Sequence, residues 1–286
     1  MASLFKLTNS NADVFAPDGM AFPDALSRTT HLGICAHQDD LEFMAVHGIL
    51  ACFGRRDKWF SGVVVTDGAG SSRTGIYASY SDAEMAAVRP GEQRKAACVG
   101  DYAAMLQLGY TSAQAKNPGV TSVSDDIHAI LKIARPEVVY LHNPADKHDT
   151  HIASFLRALD ALRRLPPEDR PGKVYGCEVW RGLDWLCDSD KQVHDVSAFA
   201  NLQAALNGVF DSQITGGKRY DLAVIGRRMA NATFFDSHSS DKATHLQWAM
   251  DLTPLVQDET LDVTEYTLDF VQRLAGDIKA RLAKLS

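Results

Sequence analysis

Short apolar runs alternate along the chain with stretches whose apolar residues recur every three or four positions. The short runs predict strands over residues 31–35, 61–65, 136–141, 174–180 and 221–225. The longer stretches predict helices over residues 41–53, 93–108, 124–134 and 150–165, and a final amphipathic helix through Phe270, Leu274, Ile278, Leu282 and Leu285. Residues 68–91, which are rich in Gly, Ser, Ala and Tyr, are expected to form a long loop.

This alternation of strands and helices predicts an α/β fold, with a mostly parallel sheet and helices on both of its faces. No repeat or long linker divides the 286 residues. We therefore expect one domain over residues 1–286, in which residues 236–286 form a helical C-terminal elaboration. No helix shows a sustained coiled-coil heptad, so oligomerisation is left open.

Composition excludes several classes of protein. With 45% hydrophobic and 23% charged residues, the chain can bury a sizeable core. Its net charge of −7 argues against a nucleic-acid-binding or anionic-membrane-binding protein. No apolar run approaches the ~20 residues that span a bilayer, and the polar N-terminus lacks a signal pattern. The five cysteines have no paired spacing, which is typical of reduced thiols in a cytoplasmic protein.

Imidazole and carboxylate side chains cluster directly after two of the predicted strands. Residues 36–42 read Ala-His-Gln-Asp-Asp-Leu-Glu, and residues 142–151 read His-Asn-Pro-Ala-Asp-Lys-His-Asp-Thr-His. Ligands bind at the carboxyl ends of the strands in open parallel sheets. The two clusters therefore predict a functional site at that edge of the sheet.

The spacing within these clusters favours a metal centre. His37 and Asp40 are three residues apart at a helix start, and so are His148 and His151, so each pair shares one helix face. His37 and Asp40 with a histidine of the second cluster, His151, would give three protein ligands and one open position, as in catalytic zinc sites. Another divalent metal also fits this donor set.

Two further residues of the clusters suit hydrolysis. Asp39 neighbours the ligand Asp40 and would accept the proton of an attacking water. His148 lies one turn from His151 and would stabilise the oxyanion of a tetrahedral intermediate. The structural alternative for either aspartate alone is a helix N-cap.

Both clusters resemble motifs of one known family. Residues 36–42 resemble the A-H-P-D-D-x-E signature of the PIG-L (LmbE-like) zinc deacetylases. Residues 146–151, Asp-Lys-His-Asp-Thr-His, are similar to the second motif of that family, D-x-H-x-D-H. Weaker likenesses extend over residues 31–235 and include Arg89-Pro90-Gly91-Glu92, which is similar to an R-x-x-E segment of the family.

The resemblance implies a Rossmann-like fold and a zinc enzyme that removes the N-acetyl group from an N-acetylglucosamine-type sugar or glycoconjugate. It implies the same metal ligands and catalytic residues as the spacing, namely His37, Asp40 and His151 with Asp39 and His148. It adds Arg89 as a residue that contacts the substrate. The implied partner is a small-molecule amino sugar.

Three departures from the family pattern bear on this interpretation. Gln38 replaces a proline, and Phe210 lies where many relatives carry a histidine. Thr150 replaces the aspartate before the metal-binding histidine, and losing a group that orients a ligand costs ~10–100-fold in metal affinity or activity. A sugar-binding protein that retains a metal with little or no turnover, and an amidase acting on a non-acetyl amide, are therefore alternatives.

Overall fold

The computed structural model describes residues 5–286, so the first four residues of the predicted 1–286 domain lie outside the described part. Within residues 5–286 the chain forms one sheet whose eight strands are β1 (Asp13–Phe15), β2 (His31–Cys35), β3 (Phe60–Thr66), β4 (Ala104–Tyr110), β5 (Val138–His142), β6 (Lys173–Cys177), β7 (Gln192–Asp195) and β8 (Leu246–Asp251).

The α-helices in the same range are α1 (Asp24–Ser27), α2 (Asp40–Met44), α3 (Val46–Cys52), α4 (Asp82–Val99), α5 (Ser112–Lys116), α6 (Ser122–Ala134), α7 (Asp149–Arg163), α8 (Ala200–Gly208), α9 (Asp211–Ile214), α10 (Tyr220–Phe234), α11 (Thr253–Gln257) and α12 (Val263–Leu285). Short 3-10 helices cover Gly75–Tyr77, Pro167–Asp169 and Asp188–Asp190.

The sheet has the strand order β1-β4-β3-β2-β5-β6-β8-β7. Its five central strands pair in parallel, whereas β1 at one edge and β8 and β7 at the other are antiparallel. The expected α/β class is therefore confirmed, with antiparallel strands added at the edges. These three outer strands, β1, β8 and β7, are absent from the sequence-based prediction.

Strands β2 and β5 lie side by side, although more than a hundred residues separate them in the chain. They pair in parallel, with His31 opposite Val138 and Gly33 opposite Tyr140. From β2 the chain continues to β3 on one side, and from β5 it continues to β6 on the other. The strand order thus reverses between them, which opens a crevice at their carboxyl ends.

Alternate residues of β2 enter two separate cores. Ile34 packs with side chains such as Ile127 of α6 and Phe155 of α7. Cys35 packs on the other side with Leu41 of α2 and Ile49 of α3. Because neighbouring side chains of a strand point to opposite faces, helices cover both faces of the sheet.

Two predicted elements after residue 68 are wrong. The expected loop over 68–91 gives way to α4 at Asp82, where the side chains of Ser81 and Glu84 form a capping box. The expected helix over 93–108 ends at Val99, and strand β4 follows after a turn in which Asp101 has φ 55°. Apolar residues that resemble one helical stripe in the sequence thus belong to a helix and a strand.

Three other segments differ from expectation. Residues 221–225 lie inside α10 and not in a strand. The helix expected over 41–53 breaks at Ala45 into α2 and α3. Residues 236–286 contribute strand β8 to the sheet as well as the helices α11 and α12.

Among residues 5–286, no helix combines the length and apolar character needed to cross a membrane.

Candidate active site

The two sequence clusters meet at the crevice between β2 and β5. His37 and Asp40 lie in the turn from β2 into α2, and His148 and His151 lie at the start of α7. All six predicted site residues line a single cleft: His37, Asp39, Asp40, Arg89, His148 and His151. The structure therefore brings the predicted residues together, while their individual roles stay predictions.

Three of these side chains point one donor atom each at a common point. Nδ1 of His37 lies 3.2 Å from Nε2 of His151 and 3.3 Å from Oδ2 of Asp40. Nε2 of His151 lies 3.4 Å from the same Asp40 oxygen. In a tetrahedral zinc site with bonds of 2.0–2.1 Å, ligand atoms are about 3.3 Å apart. The triangle fits one face of such a site.

Asp146 orients the His151 ring. Its Oδ2 lies 3.0 Å from Nδ1 of His151, so Nδ1 carries the proton and the lone pair of Nε2 is free for a metal. Burial, outweighing the charge of Asp40, lowers the pKa of His151 to about 4. The imidazole is therefore neutral at physiological pH, as a ligand must be.

Asp40 is the charged member of the triangle. Burial opposes its ionisation, but the neighbouring imidazoles of His151, His142 and His37 hold the pKa of its carboxyl well below the usual value. Its Oδ2 also accepts the backbone N–H of His37 at 2.8 Å. This carboxylate is thus held ionised in a buried position, ready to bind a cation.

His148 presents a proton to the cleft. Its Nδ1 accepts the backbone N–H of Thr150 at 3.3 Å, which leaves the proton of the neutral ring on Nε2. Burial, with the charge of His37, lowers the pKa of His148. The ring is therefore a neutral hydrogen-bond donor. Its centroid lies 5.1 Å from that of His37 and 4.7 Å from that of His151.

Asp39 has a backbone conformation that L-residues rarely adopt, with φ 90°. Its N–H donates to Oε1 of Gln93 at 3.0 Å, and Nε2 of Gln93 donates to Glu42 at 2.9 Å. Such strain persists only where the surroundings hold it in place. Gln93 and Glu42 hold this turn, so they are positioning residues. Glu42 is the last residue of the first motif, whereas the sequence does not reveal Gln93.

Two opposing influences act on the Asp39 carboxyl. Burial, with the charges of Asp40 and Glu42, raises the pKa of Asp39 well above its usual value, and Arg89 opposes the shift. Nη2 of Arg89 lies 3.2 Å from Oδ2 of Asp39. A carboxyl with a raised pKa suits proton transfer near neutral pH.

Arg89 is buried against the turn that carries Asp39. Its guanidinium also donates to the carbonyl of Gln38 and the hydroxyl of Ser71. Gly68 makes room for this packing, because a Cβ there would lie 2.8 Å from Cδ of Arg89. That Arg89 contacts the substrate stays a prediction. The structure adds its contact with Asp39, the candidate base.

His142, the last residue of β5, is a further imidazole at the centre. Its Nε2 accepts the backbone N–H of Ala36 at 3.0 Å and lies 3.4 Å from Oδ2 of Asp40. It ties the carboxyl end of β2 to that of β5. Its position at the end of a strand, within the second cluster, is the signal that could have revealed it.

Aromatic side chains form part of the cleft wall. The Trp180 ring lies parallel to His148, with centroids 6.5 Å apart, and Tyr220 meets Trp180 edge-on. Phe43 and the polar Gln213 complete this side. The cleft has an empty volume of about 780 Å³ including its open mouth, within the range of small-molecule sites.

The profile of one family matches this part of the chain. Residues 32–162 match PIG-L, described as GlcNAc-PI de-N-acetylase. Residues 32–162 are a PIG-L domain. This segment contains both clusters and Arg89, so the family relationship inferred from the two motifs is confirmed. No curated protein sequence matches the chain significantly.

Solved structures share the fold of this chain. The conserved protein TT1542 from Thermus thermophilus has a TM-score of 0.60 and 17% identity, over 82% of this chain and 99% of its own. The N,N'-diacetylchitobiose deacetylase from Pyrococcus horikoshii has a TM-score of 0.61 and 17% identity, over 80% of this chain and 86% of its own.

A third similar structure catalyses a different reaction. GalB, the 4-carboxy-2-hydroxymuconate hydratase from Pseudomonas putida, has a TM-score of 0.62 and 17% identity, over 79% of this chain and 97% of its own. At such identity these likenesses show the fold alone. The reaction must therefore be argued from the site.

Proposed function

We propose that this PIG-L protein is a zinc-dependent hydrolase that removes the N-acetyl group from an N-acetylglucosamine-type sugar or glycoconjugate. The observation that carries the proposal is the triangle of donor atoms on His37, Asp40 and His151, with edges of 3.2–3.4 Å. Two imidazoles with one carboxylate match the nitrogen and oxygen donors of catalytic zinc sites.

A divalent cation bound to these three residues would polarise the amide carbonyl and lower the pKa of water in the site. Hydrogen bonds within the protein orient two of these ligands. Asp146 keeps the Nε2 lone pair of His151 free, and the backbone N–H of His37 orients the Asp40 carboxylate. The ligand geometry therefore exists in the chain itself, supported by hydrogen bonds from outside the triangle.

Asp39 is the proposed general base. It accepts a proton from the attacking water and returns one to the departing amine, so that amide and water yield acetate and a free amine. Its position beside Asp40 and the raised pKa support this role. Its contact with Arg89 keeps the carboxyl aimed into the cleft.

His148 is the proposed donor to the oxyanion. The proton on Nε2 would form a hydrogen bond that strengthens as negative charge develops on the carbonyl oxygen. A neutral donor is sufficient for this role. The hydrogen bond from Thr150 to Nδ1 supports the required tautomer.

The walls of the cleft support a sugar substrate. Trp180 and Tyr220 offer apolar ring faces, and Ser71, Ser72 and Gln213 offer hydrogen-bonding groups. A pyranose ring has apolar C–H faces and polar edges, so it suits a cleft of this mixed character. The family description names a de-N-acetylase of a GlcNAc conjugate, which supports the same class of substrate.

Thr150 motivates the alternative of a sugar-binding protein with little or no turnover, because the family motif has an aspartate at this position. The contact between Asp146 and His151 supplies an orienting carboxylate from another position. We therefore favour the enzyme. An amidase acting on a non-acetyl amide would use the same catalytic groups.

The test is incubation of the zinc-loaded protein with a panel of N-acetylglucosamine derivatives, with acetate and free amine quantified together. Equal amounts of both products, absent with the Asp39→Asn variant, are expected. Binding of the sugars without acetate would contradict turnover and favour the binding protein. Release of a different acid, from non-acetyl amides alone, would favour the amidase.

A further inference from the structure

The last helix, α12, turns a row of apolar side chains away from the body of the protein. Its opposite face packs on the core through Phe270, which meets Trp185 edge-on, and through Tyr266, whose hydroxyl donates to the carbonyl of Asp251. The outward row is 40–85% exposed and consists of Leu268, Val271, Ile278, Leu282 and Leu285. A row of this size needs an explanation, because soluble proteins rarely expose contiguous apolar surfaces without a use.

The exposed row follows the spacing of a coiled-coil seam. With Ala275 included, the positions 268, 271, 275, 278, 282 and 285 alternate steps of three and four residues. This is the a and d pattern of a heptad repeat. The seam spans two and a half heptads, which is too short to count as a sustained repeat in the sequence. The structure separates it from Phe270, which faces the core.

The second half of α12 extends beyond the body. Every residue from Ile278 to Ser286 is exposed, and the helix as a whole is 23 residues, or about 35 Å, long. A short helical segment without tertiary packing is only marginally stable in water. Its apolar seam therefore calls for a partner that covers both the free half and the half that lies on the body.

We propose that the partner is a second copy of this chain, and that the two α12 helices pair antiparallel along this seam. The charges of α12 favour this orientation. Its first half is net acidic, with the N-cap Asp262, Glu265 and Asp269 against Arg273, and its last half is net basic, with Lys279, Arg281 and Lys284 against Asp277. Antiparallel pairing sets each acidic half beside a basic half, whereas parallel pairing sets like charges together.

The side chains of the seam also complement one another in this orientation. When Leu268 faces Leu285 of the second copy, Val271 faces Leu282, and the central layer pairs the small Ala275 with the larger Ile278. Pairing of small with large side chains keeps the distance between helices even along the seam. The flanking Lys279 then faces the neutral Gln272, so no like charges oppose each other beside the seam.

The body does not obstruct this arrangement. The residues of α12 that pack on the core, Val263, Tyr266 and Phe270, occupy c and f positions of the same heptad repeat, on the far side of the helix from a and d. Each copy would therefore carry its body on the outside of the helix pair. Both candidate active sites remain open, since the cleft residues lie elsewhere.

The test is sedimentation velocity of the full chain from micromolar to near-millimolar concentration. The wild type is expected to form a dimer of twice the 31.3 kDa chain mass. The double variant Ile278→Asp/Leu282→Asp is expected to remain monomeric. Ala280→Asp/Ala283→Asp, which adds the same charge to exposed positions off the seam, is the matched control and is expected to dimerise like the wild type.

A charge reversal tests the orientation. Lys279→Glu/Arg281→Glu/Lys284→Glu makes both halves of the helix acidic. It is expected to weaken an antiparallel dimer about tenfold or more. Adding Glu265→Lys/Asp269→Lys reverses the first half as well, which is expected to restore an antiparallel dimer but not a parallel one. Near-ultraviolet circular dichroism verifies that each variant is folded.

Three outcomes would overturn the proposal. The first is a wild type that stays monomeric over the whole range, and the second is a dimer that the seam variant leaves intact. The third is a monomer that floats with vesicles of phosphatidylserine and phosphatidylcholine, which would mean that lipid covers the seam. The proposal does not depend on the enzymatic activity.

Discussion

Asp146 accepts a hydrogen bond from Nδ1 of His151 at 3.0 Å, and its other oxygen accepts the backbone N–H of His148 at 2.9 Å. One buried carboxylate therefore orients both histidines of the second cluster. The family motif has an aspartate at the position of Thr150, and the sequence alone leaves open whether Asp146 or Asp149 takes over its task. In the structure it is the Asp146 carboxylate that contacts the His151 ring.

The first prediction concerns this carboxylate. Asp146→Ala is expected to weaken zinc binding about 10–100-fold, because the His151 ring loses the group that fixes its tautomer and orientation. Competition with a chromogenic chelator measures the affinity. Asp149→Ala, which removes an exposed carboxylate three residues away, is the matched control. Equal affinities of the two variants would contradict the role of Asp146.

The second prediction separates catalysis from metal binding. Asp39→Asn is expected to keep the metal and to lose about 10²–10⁴-fold in kcat, since an amide cannot act as a general base. His151→Ala is expected to lose the metal itself. Elemental mass spectrometry and acetate release are measured on the same preparations. Full activity of Asp39→Asn would show that another group accepts the proton.

The third prediction concerns the pH dependence of the reaction. Arg89 lowers the pKa of Asp39 against the effects of burial and of neighbouring carboxylates. Arg89→Leu is therefore expected to raise that pKa, so the acidic limb of kcat/KM moves to higher pH. Arg94→Leu is a control on the same helix, because Arg94 pairs with the distant Asp13. An unchanged acidic limb in Arg89→Leu would mean that another group sets it.

The fourth prediction concerns stability, at a site away from the cleft. The rings of His194 and His47 stack 4.0 Å apart, and burial, with the charge of His47, lowers the pKa of His194 to about 3. Between pH 6.5 and 3 the unfolded chain thus binds more protons than the folded one, so stability falls as the pH falls.

His194→Phe removes this proton uptake. The free energy of unfolding of the wild type is expected to fall relative to the variant by up to about 1.4 kcal/mol per pH unit below about pH 6.5. Urea unfolding at several pH values measures the difference. The exposed His238→Phe is the control. Parallel pH profiles of His194→Phe and the wild type would show that the pKa of His194 is the same in the folded and the unfolded protein.

Local sequence predicted the centre of the sheet well. Strands β2 and β5 are buried, continuous apolar runs, and each is followed by a polar cluster, so both the strands and the site at their ends could be found. The imidazole and carboxylate of His37 and Asp40 directly after β2 made the candidate metal site predictable, although His37 lies in the turn before α2 and not on the helix face that the spacing suggested.

Other features depend on contacts that local sequence does not encode. Strand β8 forms because residues 246–251 pair with β6 on one side and β7 on the other, which come from distant parts of the chain. The hydrogen bond from the Asp39 N–H to Gln93 joins residues that are 54 positions apart in the sequence. It requires α4 to lie against the β2–α2 turn. Residues 221–225 look like a strand because β-branched residues are common in them, yet they form part of α10.

The most direct test of the central claim is acetate release by protein stripped with a chelator, measured before and after zinc is returned. We predict that the stripped protein is inactive on N-acetylglucosamine derivatives and that about one equivalent of zinc restores turnover. The His37→Ala and His151→Ala variants should not recover. Full activity of the metal-free protein, or failure to bind zinc at all, would contradict the proposed zinc-dependent deacetylation.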